Sequence, residues 1–387
     1  MRVLFVHYGG ARIAGSEIAL LEMLGGLRRH GVNPFLWCNA PAMEQAAREL
    51  GVPVWRDDFA HYLDYSSPPF SFSGHRRLVK KGVALIAETG AEIVVSNSAA
   101  PAQWMSFAAR HAHLPLIVYM HSRYLKRSRY VLGMHLADEI VAVTAAIARP
   151  LLADGVAPER ISVVHNGFDE AKLLEGQAGG LRAELGIPPD RVTCAIAGSL
   201  LRLKGHDILF AAMRLMAEPP EILVIGDGPE RQTLEALAAG LPVHFLGHRA
   251  NLGAILRDAA DFLVAPSRQE AFGRVIIEAA FAGIPSIGAN IEGIPEAILD
   301  GVTGLLVPPE SPAALAEAMS RLIADKDLRQ RLGEAARQRA KAQFSIDKVA
   351  AGMAEILERA IARRRAGVRA AGRLRPYVNL LLGRAAP

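Results

Sequence analysis

Residues 266–279 read Pro266-Ser267-Arg268-Gln269-Glu270-Ala271-Phe272-Gly273-Arg274-Val275-Ile276-Ile277-Glu278-Ala279, directly after an apolar run at 262–265. A strand, a short loop carrying an acid and a glycine, and then a helix make up the βα junction of a parallel sheet. Gly273 lets the backbone pass close to a ligand, and the open amides of the following first turn suit a phosphate or sugar oxygen. Glu270 stands in the loop and Glu278 about one turn into the helix. Each carboxylate can accept paired hydrogen bonds from adjacent hydroxyls. On spacing alone they read equally well as a surface loop acid and a helix-face glutamate.

Outward from this junction the same alternation continues. Strands are expected at 191–198, 221–226, 243–246, 261–265 and 284–288, followed by helices at 311–323 and 326–343. Ser311-Pro312 opens the first of these helices. An earlier series has strands at 2–7, 33–38, 92–96, 115–120, 139–143 and 161–165, with a helix at 17–29. Between the series, Glu175-Gly176-Gln177-Ala178-Gly179-Gly180 suits a linker or hinge. The expected organisation is α/β: a first domain over 1–175, a linker over 176–190, a second domain over 191–345 and a helical, basic segment over 346–387. Two doubly wound sheets facing a cleft would bind ligands at the carboxyl ends of their strands.

Composition supports that architecture. The chain has 387 residues, of which 51% are hydrophobic and 21% charged, enough apolar material for two cores and too much for a disordered or fibrous protein. Cys38 and Cys194 sit far apart in apolar runs, which argues against a disulfide framework or a zinc site. No apolar stretch approaches a membrane span, and the expectation is a soluble, cytoplasmic protein. The net charge of +5 is unevenly placed, because residues 359–387 hold eight arginines and no acid. The remainder is slightly acidic, which argues against nucleic-acid binding over a broad surface and for a local anionic contact.

Two further junctions resemble the first. Ala197-Gly198-Ser199-Leu200-Leu201-Arg202-Leu203-Lys204-Gly205-His206 offers small backbone, a hydroxyl and a point charge, as a diphosphate requires. Gly226-Asp227-Gly228-Pro229-Glu230 is not a dinucleotide fingerprint, since Arg231 stands where the third glycine belongs, and Pro229 reads as a helix start.

Taken in order, the matches at 198–205, 226–230, 245–247, 266–267, 270–278, 283–285 and 293–296 resemble the pattern of the retaining glycosyltransferases of family 4, which have the GT-B fold. The resemblance implies a transferase that moves a sugar from a nucleoside-diphosphate sugar to an acceptor. It assigns Glu270 to donor-sugar hydroxyls, Glu278 to the ribose and Lys204 to the diphosphate. The turn Phe272-Gly273-Arg274-Val275 would lie against the donor, and His248-Arg249 near the base. Ser199 occupies the position of the family's arginine, which leaves Arg202 to supply the second positive charge. No metal or other cofactor is expected; Asp325-Lys326-Asp327 stands at a helix start, where aspartates cap.

The first half matches more loosely. Ala14-Gly15-Ser16-Glu17 resembles the family's glycine-rich loop, and Gly15 would pass near the donor phosphates. Glu17 also reads as a first-turn acid favoured by the helix dipole. His121, ending a strand, would face the donor sugar by resemblance, whereas His7 ends a strand as well. Asn97 fits an Asx turn or an acceptor contact. Basic clusters at His75-Arg76-Arg77 with Lys80-Lys81, at Arg123 with Lys126-Arg127 and Arg129, and in the tail read as solvated faces or as a dock for anionic lipid on the inner membrane face. The tail alternatively packs on the first domain. A lipid-linked or polysaccharide acceptor is the expectation. The competing readings are a sugar-nucleotide epimerase of the same fold and an inactive nucleotide-sugar-binding protein.

Overall fold

The computed structural model describes residues 1–11, 13–59, 70–367, 373, 374, 376 and 377. The chain forms two compact units, Met1–Gly167 with Ile346–Pro387, and Phe168–Ser345. Each is a parallel sheet flanked by helices.

In the first unit the strands are β1 (Arg2–His7), β2 (Asn33–Cys38), β3 (Val54–Arg56), β4 (Ile93–Ser96), β5 (Leu116–Met120), β6 (Glu139–Ala142) and β7 (Ile161–Val163). They lie in the order β3-β2-β1-β4-β5-β6-β7. The central strands are buried on both faces, which explains their continuous Val, Ile and Leu content. Strand order reverses beside β1, whose Val3 pairs with Pro34 on one side and Ile93 on the other. A T-shaped and tilted group of Trp37, Phe59 and Trp104 fills one part of the core.

The helix Ile346–Arg365 belongs to this unit and packs along the helix Gly15–Arg29, with Ile346 and Ala350 against Gly26 and Arg29 Nε 2.8 Å from Asp347. Its arginines are engaged: Arg359 with Glu139, Arg364 Nε donating to the His113 carbonyl at 2.9 Å, and Arg365 to Glu92 at 2.6 Å. This part of the basic segment is therefore tied to protein. Leu357 and Ile361 are buried on that helix, while Val368, Ala371, Arg369, Arg375, Arg384 and 378–382 lie outside the described residues.

The second unit contains β8 (Thr193–Ala197), β9 (Glu221–Ile225), β10 (Val243–Gly247), β11 (Phe262–Ala265), β12 (Ser286–Ala289) and β13 (Gly304–Val307). Their order, β10-β9-β8-β11-β12-β13, repeats the pattern of the first sheet. The switch point falls between β8 and β11, so the loops that follow these two strands share the ligand-binding crevice of this architecture. Residues 168–190, expected to end the first domain and form a linker, lie in the second unit. Asp258 accepts from the Ala178 amide at 2.8 Å, and Arg257 donates to the carbonyls of Leu174 and Gly176. Pro229 lies in the turn before the helix Arg231–Leu237 and does not open it. Asp325 caps the helix Lys326–Phe344, accepting from the Leu328 amide at 2.8 Å.

Candidate functional site

In the second unit the loop after β8 winds through a short 3-10 turn, Arg202–Lys204, and the loop after β11 leads into the helix Arg274–Phe281. The Arg268 amide donates to the Leu203 carbonyl at 2.8 Å and joins the two loops. Across the junction Lys204 Nζ lies 2.5 Å from Glu270 Oε2, with both side chains about one-fifth exposed. The sequence separates these charges by 66 residues; the switch point brings them together.

Glu270 is held from three directions. Its Oε1 accepts from the Gly273 amide at 3.2 Å, its own amide donates to Glu292 Oε2 at 2.9 Å, and its carbonyl accepts from the Gly293 amide at 3.1 Å. Gly293 has an ordinary helical backbone, yet a Cβ there would stand 1.9 Å from the Ala271 carbonyl oxygen. The loop thus rests directly on residue 293. Arg268 anchors the other side, bidentate to Asp207 at 2.8 and 2.9 Å, with Glu310 at 2.7 Å and the Arg202 carbonyl at 2.8 Å. The hydrogen bonds from Arg268 hold the Asp207 carboxyl below its ordinary range.

Glu278, one turn into the helix, is only 12% exposed, and Arg274 stands 3.7 Å away. Burial pushes its carboxyl above the usual range, and Arg274 pulls in the opposite direction. The Arg274 guanidinium lies 4.4 Å from the centre of the Phe168 ring. His206, 1% exposed, is held down to about 4 by burial and by the nearby Lys204 charge.

Of the expected site residues, Lys204, Glu270 and Gly273 meet where the loops after β8 and β11 join, and Arg274, Val275 and Glu278 follow on the helix that opens there. Phe272 does not offer its ring, which is 2% exposed and packs 5.5 Å from Phe344; only its backbone is left for a ligand. Ser199 and Arg202 are exposed on the loop after β8, and His248 and Arg249 follow β10, with Arg249 Nε donating to the Leu246 carbonyl. Glu292, Gly293 and Arg268 were not among the expected site residues. Arg268 and Gly293 did stand inside matched or quoted stretches, but Glu292 carried no signal.

In the first unit Gly15 opens the first helix. His121 follows β5, and its Nε2 lies 2.8 Å from Asn97 Oδ1. Asn97 is fully buried between His121 and His7, so its side chain serves neither an Asx turn nor an acceptor. Glu17 is not simply a first-turn acid: 4% exposed, it faces His7 Nε2 at 3.1 Å and accepts from Ser16 Oγ at 2.9 Å.

Comparison with known proteins agrees with this architecture. The model of glycosyl transferases group 1 matches residues 180–339, and that of glycosyltransferase family 4 matches residues 13–172. The D-inositol 3-phosphate glycosyltransferase of Streptomyces bingchenggensis is 35% identical over 248 residues, 58% of this chain and 53% of that protein. The protein of the same name from Nocardia farcinica is 36% identical over 261 residues, 62% of this chain and 57% of that protein. The chain thus spans little more than half the length of these curated relatives. Among solved structures, Anabaena HepE in complex with UDP superposes with a TM-score of 0.80 at 22% identity, covering 92% of this chain and 100% of that one. Sucrose-phosphate synthase from Thermosynechococcus elongatus gives 0.76 at 22%, covering 93% and 99%. With its two switch-point sheets and both family models matched along its length, the chain belongs to glycosyltransferase family 4 and has the GT-B fold.

Proposed function

We propose that this protein transfers a sugar from a nucleoside-diphosphate sugar to an acceptor, with retention of configuration. The Lys204–Glu270 pair at the β8/β11 switch point carries the reading. A donor entering this crevice exchanges one charge pair for two useful contacts: Lys204 to a diphosphate oxygen and Glu270 to sugar hydroxyls. As the bond from the anomeric carbon to the diphosphate breaks, its electron pair leaves on phosphate oxygen. Lys204, Arg202 and the first-turn amides of Arg274 and Val275 stabilise that growing charge. Glu278 accepts from the ribose hydroxyls, and His248-Arg249 border the base. In this reading the positive charge comes from side chains and backbone, and no metal is required. The UDP in the HepE complex favours a uridine donor.

For the acceptor, a surface of the first unit is informative. Phe72 is 85% and Phe107 56% exposed, and Phe70, Phe72, His75 and Phe107 form a chain of ring contacts. The helix Phe72–Thr89 has no acid before Glu88, and the helix Ala102–His111 beside it has none. Arg76, Arg77, Lys80 and Arg110 are exposed. Exposed aromatics ringed by cations suit an anionic lipid interface, which supports an acceptor carried on a membrane, lipid-linked or a growing polysaccharide. Among the described residues no helix is long and apolar enough to cross a membrane.

The test is turnover of a panel of nucleotide sugars with lipid-linked acceptors, in excess EDTA and in its absence. Sugar transfer that survives EDTA supports the reading. A new sugar-nucleotide stereoisomer formed without acceptor would identify an epimerase instead, and binding without turnover a non-enzymatic role.

A further inference from the structure

Glu292 and Gly293 form the turn that follows β12, closed by the Ile294 amide donating to the Ile291 carbonyl at 3.0 Å. Glu292 takes φ +39°, and Gly293 takes φ −86° and ψ −9°. A turn with positive φ at its first central residue and such angles at its second favours glycine in the first position. This chain places glutamate there. Glycine stands second because packing requires it, since a Cβ on Gly293 would strike the Ala271 carbonyl. Among the described residues four other than glycine have positive φ: Ser98, His113, Glu292 and Glu310. Two of these four reach the loop that carries Glu270. Glu310 accepts from Arg268 Nε at 2.7 Å, and Glu292 accepts from the Glu270 amide at 2.9 Å. Backbone strain held at a ligand crevice points to function.

Residues 292 and 293 together bracket Glu270. Glu292 Oε2 accepts its N–H, and the Gly293 amide donates to its carbonyl at 3.1 Å. A residue held at both of its own peptide groups has little freedom in φ or ψ, so the direction in which its side chain leaves the backbone is set. The bracket is itself anchored, because the Asn290 amide donates at 2.8 Å to the carbonyl of Val307, the last residue of β13. From that fixed start the Glu270 carboxylate reaches the Gly273 amide with Oε1 and Lys204 Nζ with Oε2. The Glu270 N–H is an obligatory donor. A glycine at 292 would relax the turn and remove the acceptor that this donor meets.

We propose that Glu292 is a positioning residue of the sugar transfer: it occupies a strained backbone conformation because its carboxylate fixes Glu270 at the donor sugar, and the turn gives up stability for that placement. The proposal rests on the reading of Glu270 as the residue that binds the donor-sugar hydroxyls. Glu292 acts through Glu270 and not on the donor itself. Its backbone and its side chain therefore make separable contributions. Stability follows the presence of a Cβ at residue 292, and turnover follows the acceptor oxygen that the residue carries.

The experiment compares Glu292→Gly, Glu292→Ala and Glu292→Gln with the wild type, all in the full chain. The readouts are calorimetric melting, hydrogen exchange of the 266–273 segment, and turnover of the nucleotide sugar that the wild type uses. Glycine relieves the turn and is expected to fold. Alanine keeps the strained φ and is expected to melt about 2–4 °C below glycine. Both are expected to exchange the Glu270 amide faster and to lower kcat about 10- to 100-fold. Glutamine keeps an acceptor oxygen at the same reach, and is expected to restore slow exchange and a kcat within about fivefold of wild type. Affinity for the nucleoside diphosphate without its sugar should stay within about twofold in all three, since Glu270 serves the sugar. Glycine and alanine variants that melt together overturn the strain. A kcat that falls from glycine to alanine in step with melting temperature, or exchange indifferent to Glu292→Gly, overturns the positioning role. So does a wild-type kcat in Glu292→Gly alongside an inactive Glu270→Gln. Full turnover by Glu270→Gln, or a wild type that turns over no nucleotide sugar, overturns the reading of Glu270 and this role with it.

Discussion

Replacing Gly293 by alanine tests how the loop that carries Glu270 is held without touching any side chain of the candidate site. At φ −86° and ψ −9° alanine is conformationally acceptable. Its Cβ, however, would lie 1.9 Å from the Ala271 oxygen, 2.6 Å from the Ala271 carbonyl carbon and 3.0 Å from Phe272 Cα. All three are backbone atoms, so no side chain can swing clear. Restoring an ordinary 3.4 Å contact moves the loop by about 1.5 Å. That movement breaks the Gly293–Glu270 backbone bond and the bond from the Glu270 amide to Glu292. A neutral hydrogen bond contributes about 1 kcal/mol and one to a charged group about 1.5–3 kcal/mol, so the loss is about 3 kcal/mol. For a domain of this size that lowers Tm by about 6–12 °C. A displacement of Glu270 on this scale also lowers turnover about 100-fold. Differential scanning calorimetry and donor turnover measure the two effects, with Gly179→Ala as control, since a Cβ there meets nothing within 4 Å. A Gly293→Ala protein that melts and turns over like the control would refute the claim that this residue seats the loop.

Other outcomes follow from the same contacts. Glu17 has a depressed carboxyl in the folded state, so its contribution is complete above the unfolded value of 4.5 and is lost as pH falls toward about 2. The stability gap between wild type and Glu17→Gln, measured by urea unfolding, is expected to narrow by about 1 kcal/mol between pH 7 and pH 3.5; a gap independent of pH contradicts this. Phe72→Ser with Phe107→Ser is expected to weaken sedimentation with anionic vesicles at least tenfold, since each burial contributes about 1.5–3 kcal/mol. Charge reversal at Arg76, Arg77 and Lys80 should do the same at about 1 kcal/mol per residue. Undiminished vesicle binding in both variants removes the lipid surface from the account.

Much of the fold is legible because buried parallel strands write themselves as runs of Val, Ile and Leu. Strands were expected at 2–7, 33–38 and 261–265, and β1, β2 and β11 lie there within a residue. The edge strands β3 and β13 were not foreseen. Val54–Arg56 is three residues long, and Gly304–Val307 sits directly after a turn, so neither offers enough length for its pattern to stand out. Lys204, Glu270 and Glu278 were singled out through the resemblance to family 4, whereas the residues that pack around Glu270 were not. Arg268 reaches Glu310 and Asp207 across 42 and 61 residues, and Glu292 reaches back 22 to the Glu270 amide. Contacts at such separations are fixed by strand order and leave no local signature. The same is true of Asn97, which read as a turn residue and instead lies buried between two histidines contributed by neighbouring strands. The run 175–180 read as a hinge from its glycines, but Arg257 and Asp258, some eighty residues away, bind Leu174, Gly176 and Ala178 within the second unit.

The most direct test of donor binding is calorimetric titration of wild type, Lys204→Met and Glu278→Gln with UDP, GDP, ADP and their sugar conjugates. The account predicts that one nucleotide family binds the wild type. Lys204→Met should bind it about 10- to 100-fold more weakly through loss of a charge-assisted contact to phosphate. Glu278→Gln should lose affinity for the nucleotide and its conjugates alike. Equal affinity in all three proteins, or binding to none of the nucleotides, would contradict the placement of the donor at this crevice.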